Sequence, residues 1–222
     1  MNTELLVMLV QNDETVENAY ELFQEAKELA VSNWGFKDVG LPKERMIQLV
    51  KAMKEAGKTT YLEVMSPDEK GGLESAQLAI DCGFDVVVGS VYADSINELL
   101  SNSPAKYYPF MGQLEGHPAS LVGTVDEIIQ HGKMMLSKGV DGLTIPTYRF
   151  VGNKRKLIEA VASEIDVPVI SAGSVNSFGR VDELKDAGIW GITIGSAFFT
   201  KNFKPNGSFN DNIQVVAEWL QK

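Results

Sequence analysis

The chain has 222 residues, 44% of them hydrophobic, enough to bury one sizeable core without crosslinks. One cysteine, Cys82, and two histidines cannot build a bridge, a redox CxxC or a Cys/His zinc cluster, which excludes disulfide scaffolds and structural zinc. With 20 basic against 30 acidic side chains, the net charge of −10 repels polyanions and argues against nucleic acid, while leaving room for a pocket that takes one small phosphate.

The first ten residues carry Glu4 and a short apolar run, then Gln11-Asn12-Asp13, without the basic start or small-residue cleavage site of a signal peptide. No other run is long enough to span a bilayer, so a cytoplasmic protein with no membrane partner is expected. A weak repeat organises the rest of the chain: an amphipathic helix, a glycine, then a short apolar strand. It occurs at Lys54-Glu55-Ala56-Gly57, Ile80-Asp81-Cys82-Gly83, Leu136-Ser137-Lys138-Gly139 and Lys185-Asp186-Ala187-Gly188, each ahead of a strand. Glycine suits those positions because helices commonly end in a left-handed residue.

Strands are predicted near residues 4–10, 35–39, 59–65, 85–89, 106–112, 140–145, 168–172 and 190–194. Helical stripes lie between them at Met46, Ile47, Val50 and Met53 and at Leu157, Ile158, Val161 and Ile165, and after the last strand at Ile213, Val216, Ala217 and Leu220. Pro42 reads as the first residue of the second helix, and Thr124-Val125-Asp126-Glu127 as a capping box opening the fifth. The segment Ser95 to Leu100 is short for a helix. Strand and helix units of about 28 residues, the length of a βα repeat, predict a single (β/α)8 barrel over residues 1–222. The competing architecture is an open doubly wound sheet, whose G-x-G-x-x-G signal is absent after the first strand.

A barrel places chemistry at the strand C-termini and the loops after them. Gln11 is positioned to orient a polar substrate, whereas Asp13 reads as a helix cap. On the second strand Lys37 and Asp38 cannot both face the centre unless the strand has already ended, because neighbours in a strand face opposite ways; alternation leaves open which of them does, and Lys37 is the favoured one. In Thr60-Tyr61-Leu62-Glu63-Val64-Met65 the alternation turns Tyr61, Glu63 and Met65 toward the interior. A carboxylate there needs a partner or a raised pKa, and either suits an acid or base; Lys37 on the adjacent strand supplies that partner. Ser66 reads as a cap, and Ser90 joins the candidates by position. His117, in the loop Gly112 to Gly123, is placed to shuttle protons over the mouth, while His131 reads as a surface residue of the fifth helix. Arg149 can clamp a carboxylate or phosphate with its fork of donors, or belong to a surface patch with Lys154, Arg155 and Lys156. Tyr20, Phe23, Trp190 and Trp219 read as packing.

The strongest pattern is a pair. Pro168-Val169-Ile170-Ser171-Ala172-Gly173-Ser174 is an apolar strand ending in small residues, and Ile192-Thr193-Ile194-Gly195-Ser196-Ala197 repeats the design. Glycines let backbone N–H groups approach an anion, and the serines add hydroxyls. Over residues 168–199 the chain resembles the seventh and eighth strands of the ribulose-phosphate-binding barrels, among them isomerases, epimerases, indole-glycerol-phosphate synthase and sugar-phosphate decarboxylases. The resemblance implies a phosphate held by Gly173, Ser174, Gly195 and Ser196. Tyr61-Leu62-Glu63 stands where that superfamily's decarboxylases carry Asp-x-Lys, and no strand carries the histidines with which its pentulose-phosphate epimerases hold metal.

The expectation is an enzyme acting on a small phosphorylated, sugar-phosphate-like metabolite by proton transfer, of isomerase or epimerase type, with neither metal nor another cofactor. Glu63 moves the proton, Lys37 stabilises enolate charge and His117 closes over as a second acid. The alternatives are a Schiff-base aldolase or lyase using Lys37, and a non-catalytic barrel binding FMN or a phosphorylated effector. Apolar positions on the outer helices leave a homo-oligomer open.

Overall fold

The computed structural model describes residues 3–116 and 119–222. Among these, the barrel strands are β1 (Glu4–Met8), β2 (Asn33–Lys37), β3 (Thr59–Glu63), β4 (Val86–Val88), β5 (Lys106–Tyr108), β6 (Leu143–Ile145), β7 (Val169–Ser171) and β8 (Gly191–Ile194). All pair in parallel, in the order β6-β7-β8-β1-β2-β3-β4-β5, so neighbours in the sheet are neighbours in sequence. The helices are α1 (Ala19–Ala26), α2 (Lys43–Glu55), α3 (Glu69–Cys82), α4 (Asp94–Ser101), α5 (Val125–Ser137), α6 (Lys154–Glu164), α7 (Phe178–Asp186), the single turn α8 (Ser196–Phe199) and α9 (Phe209–Leu220).

The last seam, between β5 and β6, is the thinnest because Pro109 has no N–H to donate. It closes through Asp141 N–H to the Tyr107 carbonyl at 3.1 Å, Thr144 N–H to that of Pro109 at 2.8 Å and Met111 N–H to that of Thr144 at 2.9 Å. The result is the closed (β/α)8 barrel, and the open sheet is excluded.

Alternation along the strands builds two cores. Leu6, Tyr61, Val86, Val88, Tyr108 and Ile170 fill the barrel interior, with Trp190 packed against them. Leu62, Val87, Ile192 and their like face outward and meet the helices. The helix stripes fall nearly as predicted, except that α2 buries Met46, Leu49, Val50 and Met53 while Ile47 is exposed, because the helix turns its 46/50/53 line to the barrel and 47 to its flank. Tyr20 is likewise exposed. Pro42 sits one position before α2, and the Thr124/Glu127 capping box is present. Ser66 is not the cap of α3: the Asp68 side chain accepts from Gly71 N–H, and Ser66 hydrogen-bonds to Asp68. Gly83 ends α3 at φ 79°, the left-handed conformation that the repeat anticipates.

Two hairpins were not legible in the sequence. Val10–Gln11 pairs antiparallel with Glu14–Thr15 beyond β1, and Gln113–Glu115 pairs with Ser120–Val122 beyond β5. Predicted strands 4–10 and 106–112 therefore stop early, since their last residues turn into hairpin arms over the mouth.

Candidate active site

The hairpin after β1 delivers the first site residue. Asn12 and Asp13 both take positive φ, 53° and 64°, as a two-residue type I′ turn requires and as Asn and Asp tolerate. Thr15 anchors the hairpin to β2: its hydroxyl donates to the Lys37 carbonyl and accepts from the Lys37 N–H, both at 2.9 Å. Asp13 is thereby held over the mouth rather than capping α1, and its carboxylate pairs with Lys37 Nζ at 2.9 Å.

Lys37 faces inward, with only 6% of its side chain exposed. The β2–β3 register sets Lys37 beside Glu63, and Nζ lies 3.9 Å from Oε1 of that residue. Asp38 faces the helices, taking a 2.6 Å hydrogen bond from Ser75 and one from Met65 N–H at 3.1 Å. Burial raises the Glu63 carboxyl above the ordinary carboxylate range, while the charges of Lys37 and then Arg149 pull it back down. Glu63 is thus a largely buried carboxyl with a raised pKa beside the Lys37 side chain.

Arg149, in the 3-10 turn Thr147–Arg149 after β6, reaches the same mouth instead of joining the Lys154 patch. Its guanidinium lies 3.9 Å from Asp13, and a Cβ added to Gly173 would sit 3.6 Å from its Nε. It links the acidic hairpin to the loop after β7. In that loop Gly173 and Ser174 take φ 76° and 61°, and Gly173 N–H donates to Thr193 Oγ1 at 3.1 Å. Arg180, from α7, donates to the Ser174 carbonyl and to Asn176 Oδ1, and stacks over the Tyr148 ring 4.6 Å from its centroid. Gly195 has a steric reason of its own, since a Cβ there would come within 2.9 Å of the Val10 carbonyl oxygen.

These groups line one cavity of about 880 Å³ over the strand C-termini, within the range of small-molecule sites. It brings together Asp13, Lys37, Glu63, Arg149, Gly173, Ser174, Gly195 and Ser196, and adds Thr193 and His131, which sequence reasoning missed. Gln11 is not among the lining residues; it lies in the hairpin arm, paired with Glu14. His117 lies outside the described residues. Ser90 is fully buried, donating to the Tyr107 hydroxyl. His131 is no solvated surface residue: it is half-buried, its Nδ1 accepts Gly112 N–H at 2.9 Å, and burial lowers its pKa. That bond leaves Nε2 as the protonated nitrogen of the neutral ring. The available signal was its spacing from the apolar face of α5, three residues after Ile128 and four before Met135, both buried.

Among the described residues no group of three or more His, Cys, Asp or Glu is arranged to hold a metal ion, and no helix is long and apolar enough to cross a membrane. No family model matches the chain, and no curated protein is similar to it in sequence. Solved structures are similar in fold. An orotidine 5'-phosphate decarboxylase from Pyrococcus horikoshii OT3 superposes with a TM-score of 0.72 at 13% identity, covering 98% of this chain and 99% of that one. A 4-hydroxy-2-oxoglutarate/2-dehydro-3-deoxyphosphogluconate aldolase gives 0.66 at 15% identity, covering 99% and 95%. The N-acetylmannosamine-6-phosphate 2-epimerase from Clostridium perfringens gives 0.64 at 10% identity, covering 87% and 86%. The chain has the (β/α)8 fold, and its structural neighbours include members of the ribulose-phosphate-binding barrels.

Proposed function

We propose that this barrel is an enzyme that holds a small phosphorylated, sugar-phosphate-like metabolite by the loops after β7 and β8 and moves a proton on its carbon skeleton, as an isomerase or epimerase does. The observation that carries this reading is the arrangement on the cavity floor, where the largely buried carboxyl of Glu63 lies 3.9 Å from the buried Lys37 Nζ. In this reading Glu63 takes a proton from the carbon next to a carbonyl. Lys37 and Arg149 stabilise the oxyanion of the resulting enolate, where fixed charge in a water-poor site is worth most. In an isomerisation Glu63 returns the proton to the neighbouring carbon on the same face while the hydroxyl proton passes from one enediolate oxygen to the other; an epimerisation returns it to the same carbon from the opposite face and needs a second acid there. Gly173, Ser174, Gly195 and Ser196 hold the phosphate at the other side of the mouth, with Arg149 adding charge. Neighbours that act on phosphorylated compounds support the substrate class, and their three different chemistries leave the reaction to be argued from the residues.

The Schiff-base alternative is weaker on one point: Lys37 Nζ is tied into an ion pair with Asp13 at 2.9 Å, which suits a fixed charge better than an amine nucleophile. Proton NMR in heavy water tests the reading with a panel of phosphorylated aldoses, ketoses and 2-oxo acids. Deuterium uptake at a carbon beside the carbonyl of at least one member is expected, falling by about 10²-fold or more in Glu63→Gln while binding persists. Exchange at the wild-type rate in that variant would contradict it.

A further inference from the structure

The cavity is several times larger than a phosphate and a few carbons require, and its far wall has a chemistry of its own. In the closed ring, β7 and β8 stand across the barrel axis from β3 and β4. The loops after β7 and β8 present small polar residues, Ser174 and Ser196. The loops after β3, β4 and the adjacent β5 present Met65, Val91, Tyr92, Phe110 and Leu114, all partly exposed and all lining the cavity. Tyr92 and Leu114 pack against the core with one side and face the cavity with the other, and partly exposed large apolar side chains gathered on one wall of a concave site suit an apolar ligand group. The wall begins at the reacting end: a Cβ at Gly89 would lie 3.1 Å from the Phe110 ring and 3.3 Å from Glu63 Cγ, so ring and carboxyl are close neighbours. Tyr92 is held in place by its hydroxyl on Asp94 at 2.6 Å and by stacking on Tyr107. The hairpin Gln113–Glu115 and Ser120–Val122 carries Leu114 over the same side.

Resting on the phosphate reading above, we infer that the substrate is a phosphate ester bearing a ring-sized apolar group at the end away from its phosphate. Such a molecule spans the mouth, its phosphate at Ser174 and Ser196, its reacting carbons over Glu63 and Lys37, and its apolar group against Phe110, Tyr92 and Leu114. A polyhydroxylated sugar would leave the apolar side chains of Phe110, Val91 and Leu114 wet.

Calorimetric titration with 1-naphthyl phosphate and glycerol 3-phosphate, with inorganic phosphate as control, tests this on the wild-type protein and on Phe110→Ala, Leu114→Asn and Ser196→Asp. The expected result is that naphthyl phosphate binds at least tenfold tighter than glycerol 3-phosphate, that Phe110→Ala and Leu114→Asn each shrink that ratio severalfold, and that Ser196→Asp weakens both ligands. Equal affinity of the two esters, or a ratio that survives both wall variants, would overturn the inference while leaving the phosphate site standing. Failure of every phosphate-bearing ligand to bind would overturn the underlying reading as well. The two wall variants change partly exposed side chains on separate segments, so misfolding of one leaves the other to decide.

Discussion

Glu63 illustrates what a buried carboxyl costs the fold. Its neutral form is favoured by burial, so at neutral pH the folded chain carries a carboxylate that the unfolded chain holds more easily in water. Proton counts give the sign of the effect. Above the unfolded value of about 4.5 and below the raised folded value, the native state binds more protons, and stability falls as pH rises through that window. Glu63→Gln is therefore expected to be more stable than wild type at pH 7, with a higher melting temperature. The increment should shrink toward pH 4.5. Thermal melts across pH 4.5–8 check this, and a variant less stable than wild type at pH 7 would mean that the Lys37 pair outweighs burial. At this scale the site was partly legible in the sequence. Alternation put Glu63 inside and required Lys37 and Asp38 to face opposite ways, because strand period is rigid; which of the two faces the centre it left open, and the structure turns Lys37 inward. Asp13 and His131 escaped it, since one depends on a two-residue turn and the other on a helix face meeting a loop, and neither leaves a periodic trace.

At the scale of elements, the loop after β7 is the one that needs support from elsewhere. Ser174 sits at φ 61°, uncommon for a residue with a side chain, and persists because its surroundings hold it. Arg180 on α7 supplies that hold at the Ser174 carbonyl and at Asn176, itself steadied by the Tyr148 ring. Arg180→Ala is expected to lower affinity for a phosphorylated ligand by about tenfold through loss of loop order, with a smaller effect on melting. Unchanged affinity would show that the loop holds its shape unaided. The strong elements were legible: the Thr124 capping box, the glycine-terminated helices and the apolar strands Val169–Ser171 and Gly191–Ile194 all lie where spacing puts them. The hairpins were not, because arms of two or three residues are too short to show a period.

For the whole molecule, closure decides what can meet. The thin β5–β6 seam, limited by Pro109, still brings the ring round, so that residues far apart in sequence converge on one mouth: Asp13 near the start, Glu63 in the first third, Arg149 and Ser196 in the second half. Repeat counting captured that ring, since each unit of about 28 residues is one turn of the pattern. It did not carry the size of the cavity, which is set by side-chain bulk on loops that obey no repeat. The central claim is that the β7 and β8 loops hold a phosphate. The most direct test is a thermal-shift comparison of phosphorylated sugars with their unphosphorylated forms, with inorganic phosphate as control. Ser196→Asp is the better variant than Gly173→Asp, because any side chain at Gly173, with its φ of 76°, brings backbone strain of its own. A ligand at 100 times its dissociation constant adds about 2.7 kcal/mol to stability. The expected result is stabilisation by phosphorylated members alone, lost in Ser196→Asp. Equal shifts for both forms, or a shift that persists in that variant, would contradict the claim.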